Sequence, residues 1–126
     1  MNNLDRCVLV VEDEYVIAEL FAGQIEHMGL AVCGIANTAE KAIALAIEHR
    51  PAVVLMDVRL KGVMDGVDAS IAIHNAVGSK VIFITGSREP ATLERIKLDH
   101  ATAVLIKPLF GRKLETAVEA ALSLAA

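Results

Sequence analysis

Ala52-Val53-Val54-Leu55-Met56-Asp57, running on into Val58-Arg59-Leu60-Lys61-Gly62, is the stretch on which the fold turns. An apolar run this pure, closed by a carboxylate, reads as a strand buried on both faces with Asp57 at its carboxyl end. In open α/β sheets that rim is where ligands and reacting groups gather. Three more apolar runs end in chemistry of the same kind. Cys7–Val11 leads into Glu12-Asp13-Glu14, Val81–Ile84 into Thr85, and Ala103–Ile106 into Lys107-Pro108. Acids, a hydroxyl and an amine that lie far apart in the chain therefore converge on one edge of a sheet.

Working outward, strand and helix signals alternate to both ends. Cys7–Val11 is followed by helical spacing over Tyr15–Met28, with Val16, Leu20, Ile25 and Met28 as the spaced apolar positions, Ala18, Phe21 and Ala22 between them, and Gly29 as the stop. Ala31–Ala36 is a second strand. Thr38 caps a helix over Ala39–His49, which ends near Pro51. After Ala52–Met56 come a helix over Gly66–Ala76, a strand over Lys80–Thr85, a helix near Ala91–Leu98, a strand over Ala103–Ile106 and a closing helix over Arg112–Leu124. Five such βα repeats predict a parallel sheet with helices on both faces and right-handed crossovers. The third βα loop, Val58–Asp65, is longer than the others and is expected to be the mobile element beside Asp57.

The chain of 126 residues is expected to be one domain, 1–126, with one aliphatic core: 55% of residues are hydrophobic and only 3% aromatic. A net charge of −4 argues against binding a phosphate backbone, which calls for a basic patch. No apolar stretch approaches the roughly 18–20 residues of a membrane span, and the amino terminus lacks a signal-peptide pattern, so a cytoplasmic location is expected. Cys7 and Cys33 lie inside strands without metal-type spacing and read as reduced core residues. His27, His49, His74, His100, Asp68 and Asp99 read as solvated side chains.

Taken together, Val10-Val11-Glu12-Asp13-Glu14, Leu55-Met56-Asp57, Asp65-Gly66, Phe83-Ile84-Thr85-Gly86 and Ile106-Lys107-Pro108 resemble the receiver domain of bacterial two-component response regulators. The resemblance covers essentially the whole chain with motif order intact. It implies a flavodoxin-like fold with strand order 2-1-3-4-5. It also implies a stand-alone response regulator, a switch and not an enzyme acting on other substrates. Asp57 would accept a phosphoryl group from a histidine kinase or histidine phosphotransfer protein. Asp13, Asp57, the main-chain carbonyl of Arg59 and, through water, Glu12 would hold Mg²⁺ in an all-oxygen site. Thr85 and Lys107 would bind phosphoryl oxygens. Pro108 would follow a cis bond, and Gly86 would leave room for the phosphoryl group. The output face implied is helix 4, strand 5 and helix 5, where a protein target or a second copy docks. Of Leu109 and Phe110 beside Pro108, core burial is the expected fate and exposure on that face the alternative.

Each residue has a plainer reading when taken alone. Glu12 and Glu14 suit a helix start, Thr85 a loop, and Lys107 a solvated surface. The chain also departs from the family pattern: the position three residues before Lys107, usually Tyr or Phe, is Val104. Valine lacks the reach of an aromatic switch, so output is expected through backbone and helix 4 shifts. The Phe83-Ile84-Thr85-Gly86 ending resembles a Phe-x-Thr-Gly receiver subgroup. Arg59 and Ser87, each two residues beyond a site residue, flank the approach of hydrolytic water. A phosphate sink or relay intermediate is the alternative role. A Mg-dependent phosphatase of the haloacid dehalogenase type is more remote, because Arg59 stands where that chemistry wants a second aspartate.

Overall fold

The computed structural model describes residues 6–86, 90–98 and 101–125. Ser87, Asp99 and His100 lie outside the described residues. Ten elements alternate: β1 (Val8–Val11), α1 (Tyr15–His27), β2 (Val32–Ala36), α2 (Ala39–His49), β3 (Val53–Met56), α3 (Gly66–Ala76), β4 (Lys80–Thr85), α4 (Pro90–Leu98), β5 (Ala101–Ile106) and α5 (Lys113–Ala125). All strand pairs are parallel and the order across the sheet is β2-β1-β3-β4-β5.

Strand alternation sorts the core into two layers. Leu9, Val11, Val54, Met56, Val81 and Phe83 pack against the small residues Ala39, Ala42 and Ala46 of α2, with Val67, Ala69 and Ile73 of α3 and Ile96 of α4. Val8, Val10, Val53, Leu55, Ile82 and Ile84 point the other way, onto Ala18, Phe21 and Ile25 of α1 and Leu114, Val118 and Ala121 of α5. β1 and β3 are buried along their whole length, which is why their sequences show no polar alternation. Their carboxyl ends, carrying Glu12 and Asp57, are fixed by this packing and by ladder bonds: the Glu12 N–H donates to the Ala36 carbonyl at 2.9 Å and the Asp57 N–H to the Val11 carbonyl at 3.0 Å.

Three expectations need correction. In α1 the buried stripe is Ala18, Phe21, Ala22 and Ile25, while Val16 and Leu20 are exposed. The two alanines let the helix lie close to the sheet and set its rotation, turning the larger Val16 and Leu20 outward. β5 begins at Ala101, two residues earlier than its apolar run suggests, because its pairing with β4 extends to Ala101 opposite Val81. The third βα loop is tethered: Lys61 forms a parallel bridge with Thr38, and Leu60 and Met64 pack on the core, leaving Val63 fully exposed.

Helix ends follow the local chemistry. Thr38 Oγ1 accepts from the Lys41 N–H at 3.1 Å, and Gly29 takes φ +83° just after α1. At α3, Asp65 is the N-cap. Its Oδ1 accepts from the Asp68 N–H at 3.0 Å, and Asp68 Oδ2 accepts from the Asp65 N–H at 3.2 Å, a reciprocal capping box.

Candidate functional site

The carboxyl ends of β1, β3, β4 and β5 open onto one cleft of about 340 Å³ lined by Asp13, Glu14, Asp57, Arg59, Thr85, Gly86 and Lys107. Glu12 lies beneath it, 2% exposed, with Asp57 at 8% and Thr85 at 1%. One carboxylate oxygen from each of Glu12, Asp13 and Asp57 falls within 4.8 Å of the others. Lys107 reaches into this group from β5. Its Nζ donates to Glu12 Oε1 at 2.8 Å and stands 3.5 Å from Asp57 Oδ2. The Lys107–Pro108 peptide bond is cis, and the Lys107 N–H donates to the Thr85 carbonyl at 2.9 Å, joining the two strand ends. The Arg59 N–H donates to Asp57 Oδ1 at 3.4 Å.

Three acids against one ammonium leave the site short of positive charge. Burial and the neighbouring Glu12 carboxylate push the Asp57 carboxyl up to about 7, against the opposing pull of Lys107. Burial is the largest effect on Glu12 and raises it, but the hydrogen bonds with Lys107, Asp57, Asp13 and the Glu14 N–H together outweigh it and leave Glu12 below its ordinary value. Asp13 is raised by burial and by Glu12. Lys107 loses to burial and gains more from Glu12 and Asp57, so it is held more firmly charged than an exposed lysine. An all-oxygen donor set with unbalanced negative charge fits a hard divalent cation of the Mg²⁺ type.

The α3 start presses on the same strand end. The Gly66 N–H donates to the Val58 carbonyl at 2.7 Å, and a Cβ on Gly66 would run into the Asp57 carbonyl oxygen. Only glycine permits that approach. Asp68 is not a free surface acid as expected. Besides the cap, it and Asp65 receive Arg95 of α4: Nη1 to Asp65 Oδ2 at 2.7 Å, Nη2 to Asp65 Oδ1 at 3.2 Å, and Nη2 to Asp68 Oδ1 at 3.4 Å. The Asp-x-x-Asp cap is a pattern visible in the sequence. Arg95 carries no local signal, because only the fold brings it there.

Val104 is 39% exposed on β5, and its short β-branched side chain lacks the reach of an aromatic. Phe110 is 70% exposed, contrary to the core burial expected, while Leu109 packs on the α1–α5 side of the core. The adjoining Gly111 takes φ +64°, and the chain turns there before α5, carrying Phe110 off the sheet.

The model of the response regulator receiver domain matches residues 8–119. The chain belongs to the receiver-domain family. Receivers are phosphoacceptor switches of two-component systems, work with histidine kinases or phosphotransfer proteins, and bind Mg²⁺ at an acidic pocket. This receiver is 32% identical over 118 residues to the transcriptional regulatory protein PdtaR of Mycobacterium tuberculosis, covering 94% of the chain and 57% of that relative. It thus spans little more than half the length of that protein. The receiver domain of a modulated diguanylate cyclase from Desulfovibrio desulfuricans G20 superposes with a TM-score of 0.87 at 31% identity, covering 94% of each chain. The N-terminal domain of a response regulator/sensory box/GGDEF protein from Carboxydothermus hydrogenoformans gives 0.83 at 34% identity, over 94% and 95% of the two chains. Among the described residues, no helix is long and apolar enough to cross a membrane.

Proposed function

We propose that Asp57 is the phosphoacceptor of a cytoplasmic two-component switch that signals by phosphorylation-dependent protein binding and not by catalysis on another substrate. The observation that carries this reading is the placement of the Asp57 carboxyl beside Lys107 and two further acids, in a cleft open to a phosphoryl donor. Asp13, Asp57 and the Arg59 carbonyl would hold Mg²⁺, with Glu12 acting through water. Such an ion would supply the positive charge that lets an anionic phosphoryl group approach these acids.

The chain's own residues carry the transfer. An Asp57 carboxylate oxygen attacks phosphorus as the bond from phosphorus to the donor imidazole nitrogen breaks, leaving an aspartyl phosphate and a neutral histidine on the donor. Lys107 shifts from Glu12 to a phosphoryl oxygen, and the Thr85 hydroxyl donates to another. Gly86, exposed and without a side chain, leaves the approach open. Pro108 fixes the chain just after Lys107. Arg59, exposed at the cleft mouth, shields the phosphoryl group from water. The modification turns the Asp57 carboxylate into an acyl phosphate of roughly two negative charges, about one more than before, and biases an inactive–active equilibrium.

The output face runs over α4, β5 and α5. Support for it comes from the exposed Val104 and a shallow groove of Leu105, Thr116, Ala117 and Ala120 flanked by Arg112 and Lys113. A protein target or a second copy of the chain docks there. Incubation with Mg²⁺ and acetyl phosphate, followed by intact mass, tests the acceptor. The wild type is expected to gain one acid-labile phosphoryl group and Asp57→Asn none. Equal labelling of the variant would overturn the assignment.

A further inference from the structure

Among the described side chains, those of α4 are the least held by the core. Among its described residues only Ile96 is fully buried, whereas α5 buries Leu114, Val118, Ala121 and Leu122. What else fixes α4 is polar: Arg95 grips Asp65 with both guanidinium nitrogens and touches Asp68. Those acids cap α3, and the next residue, Gly66, lies directly on the Asp57 carbonyl. A continuous chain of contacts therefore runs from the phosphoacceptor backbone through the α3 cap to Arg95 and α4. It avoids position 104 altogether. β4, which ends in Thr85, leads into α4, so a Thr85 drawn toward a phosphoryl group pulls on the helix that Arg95 ties to α3.

We propose that the Arg95–Asp65–Asp68 clamp is a latch that holds α4 in the unphosphorylated arrangement and opens when Asp57 is modified. The latch rests on the phosphoacceptor reading above. Its strength suits a switch, because a half-exposed, doubly bonded ion pair resists by only a few-fold in population and yields to a new phosphoryl group. It also answers how a receiver with Val104 moves its output helix: the constraint released is on α4 itself.

The test is a titration with beryllofluoride and Mg²⁺, as a phosphoryl mimic, of wild type, Arg95→Ala, Asp65→Asn and the double variant. Asparagine keeps the N-cap and removes the charge. Each single variant is expected to bind the mimic about two- to fivefold more tightly, with the double no tighter than either single. Amide exchange of α4 in mimic-free Arg95→Ala should rise to that of the mimic-bound wild type. Unchanged or weaker binding in the single variants, or additive gains in the double, would overturn the latch. A wild type that does not bind the mimic at all would instead overturn the phosphoacceptor assignment.

Discussion

Two clusters in this receiver are built from the same parts, one cation and two carboxylates, and behave differently because of where they sit. Lys107 with Glu12 and Asp57 is at the sheet rim, with carboxylate side chains 1% and 10% exposed. Arg95 with Asp65 and Asp68 is at the α3–α4 surface, with carboxylate side chains 29% and 45% exposed. Water screens the second cluster; burial raises the Asp65 carboxyl, but Arg95 and the cap together hold it below its ordinary value, so the pair stays charged. The first cannot be screened. Its acids compete for one ammonium, Glu12 wins the shorter bond, and burial with the Glu12 carboxylate pushes the Asp57 carboxyl up to about 7. Burial turns a salt bridge into a site short of positive charge, which suits a hard divalent cation.

The largest way to break this contrast is Lys107→Met. Removing the ammonium leaves two buried carboxylates without a cationic partner, and a loss of about 3 kcal/mol in unfolding free energy is expected at pH 8 without Mg²⁺. Urea unfolding at pH 8 and pH 5 measures it. The loss should be smaller at pH 5, where Asp57 carries a proton. A loss below about 0.5 kcal/mol at pH 8 would place the rim cluster with the surface one.

The fold and the meeting of the rim residues were legible for one reason. Parallel strands buried on both faces write themselves as uninterrupted apolar runs, and each run ends where polar residues begin. Asp57, Thr85 and Lys107 could be set on a common edge from that alone. What sequence did not reveal is which partner each charge takes. The hydrogen bond from Lys107 to Glu12 carries no signal in the sequence. Asp68, expected in solvent, is held by Arg95. Such pairings depend on how loops close between elements that are neighbours only in space. The rotation of α1 was misread because Val16 and Leu20 look like core by hydrophobicity, while the buried stripe depends on two alanines whose value is their small size.

Asp57→Asn sharpens the contrast with the opposite sign. The Asp57 carboxyl is raised in the folded protein, so the folded state keeps a proton that the unfolded chain releases. Its favourable contribution is fully present below the ordinary carboxylate value and is lost as pH rises through about 7. Asparagine does not titrate. The variant should therefore gain on wild type as pH rises from 5 to 8, reaching about 1–2 kcal/mol in metal-free buffer, with the gain reduced by Mg²⁺. Thermal unfolding across that range reads it. A gain independent of pH would mean that Asp57 is already fully ionised.

The smallest effect belongs to Asp68→Asn. The asparagine keeps an oxygen to accept the Asp65 N–H, so the cap survives and only the charge facing Arg95 at 3.4 Å is lost. An exposed pair of that length is worth about 0.2–0.5 kcal/mol, and much of this should vanish in about 1 M salt, where screening acts within about 3 Å. Urea unfolding at low and high salt gives both numbers. The rim should respond less: Lys107→Met should lose a smaller fraction of its cost at high salt, because Glu12 and Asp57 are largely withdrawn from solvent. If Asp68→Asn instead costs more than about 1 kcal/mol and is insensitive to salt, the two clusters share one electrostatic regime, and burial is not what separates the switch from its clamp.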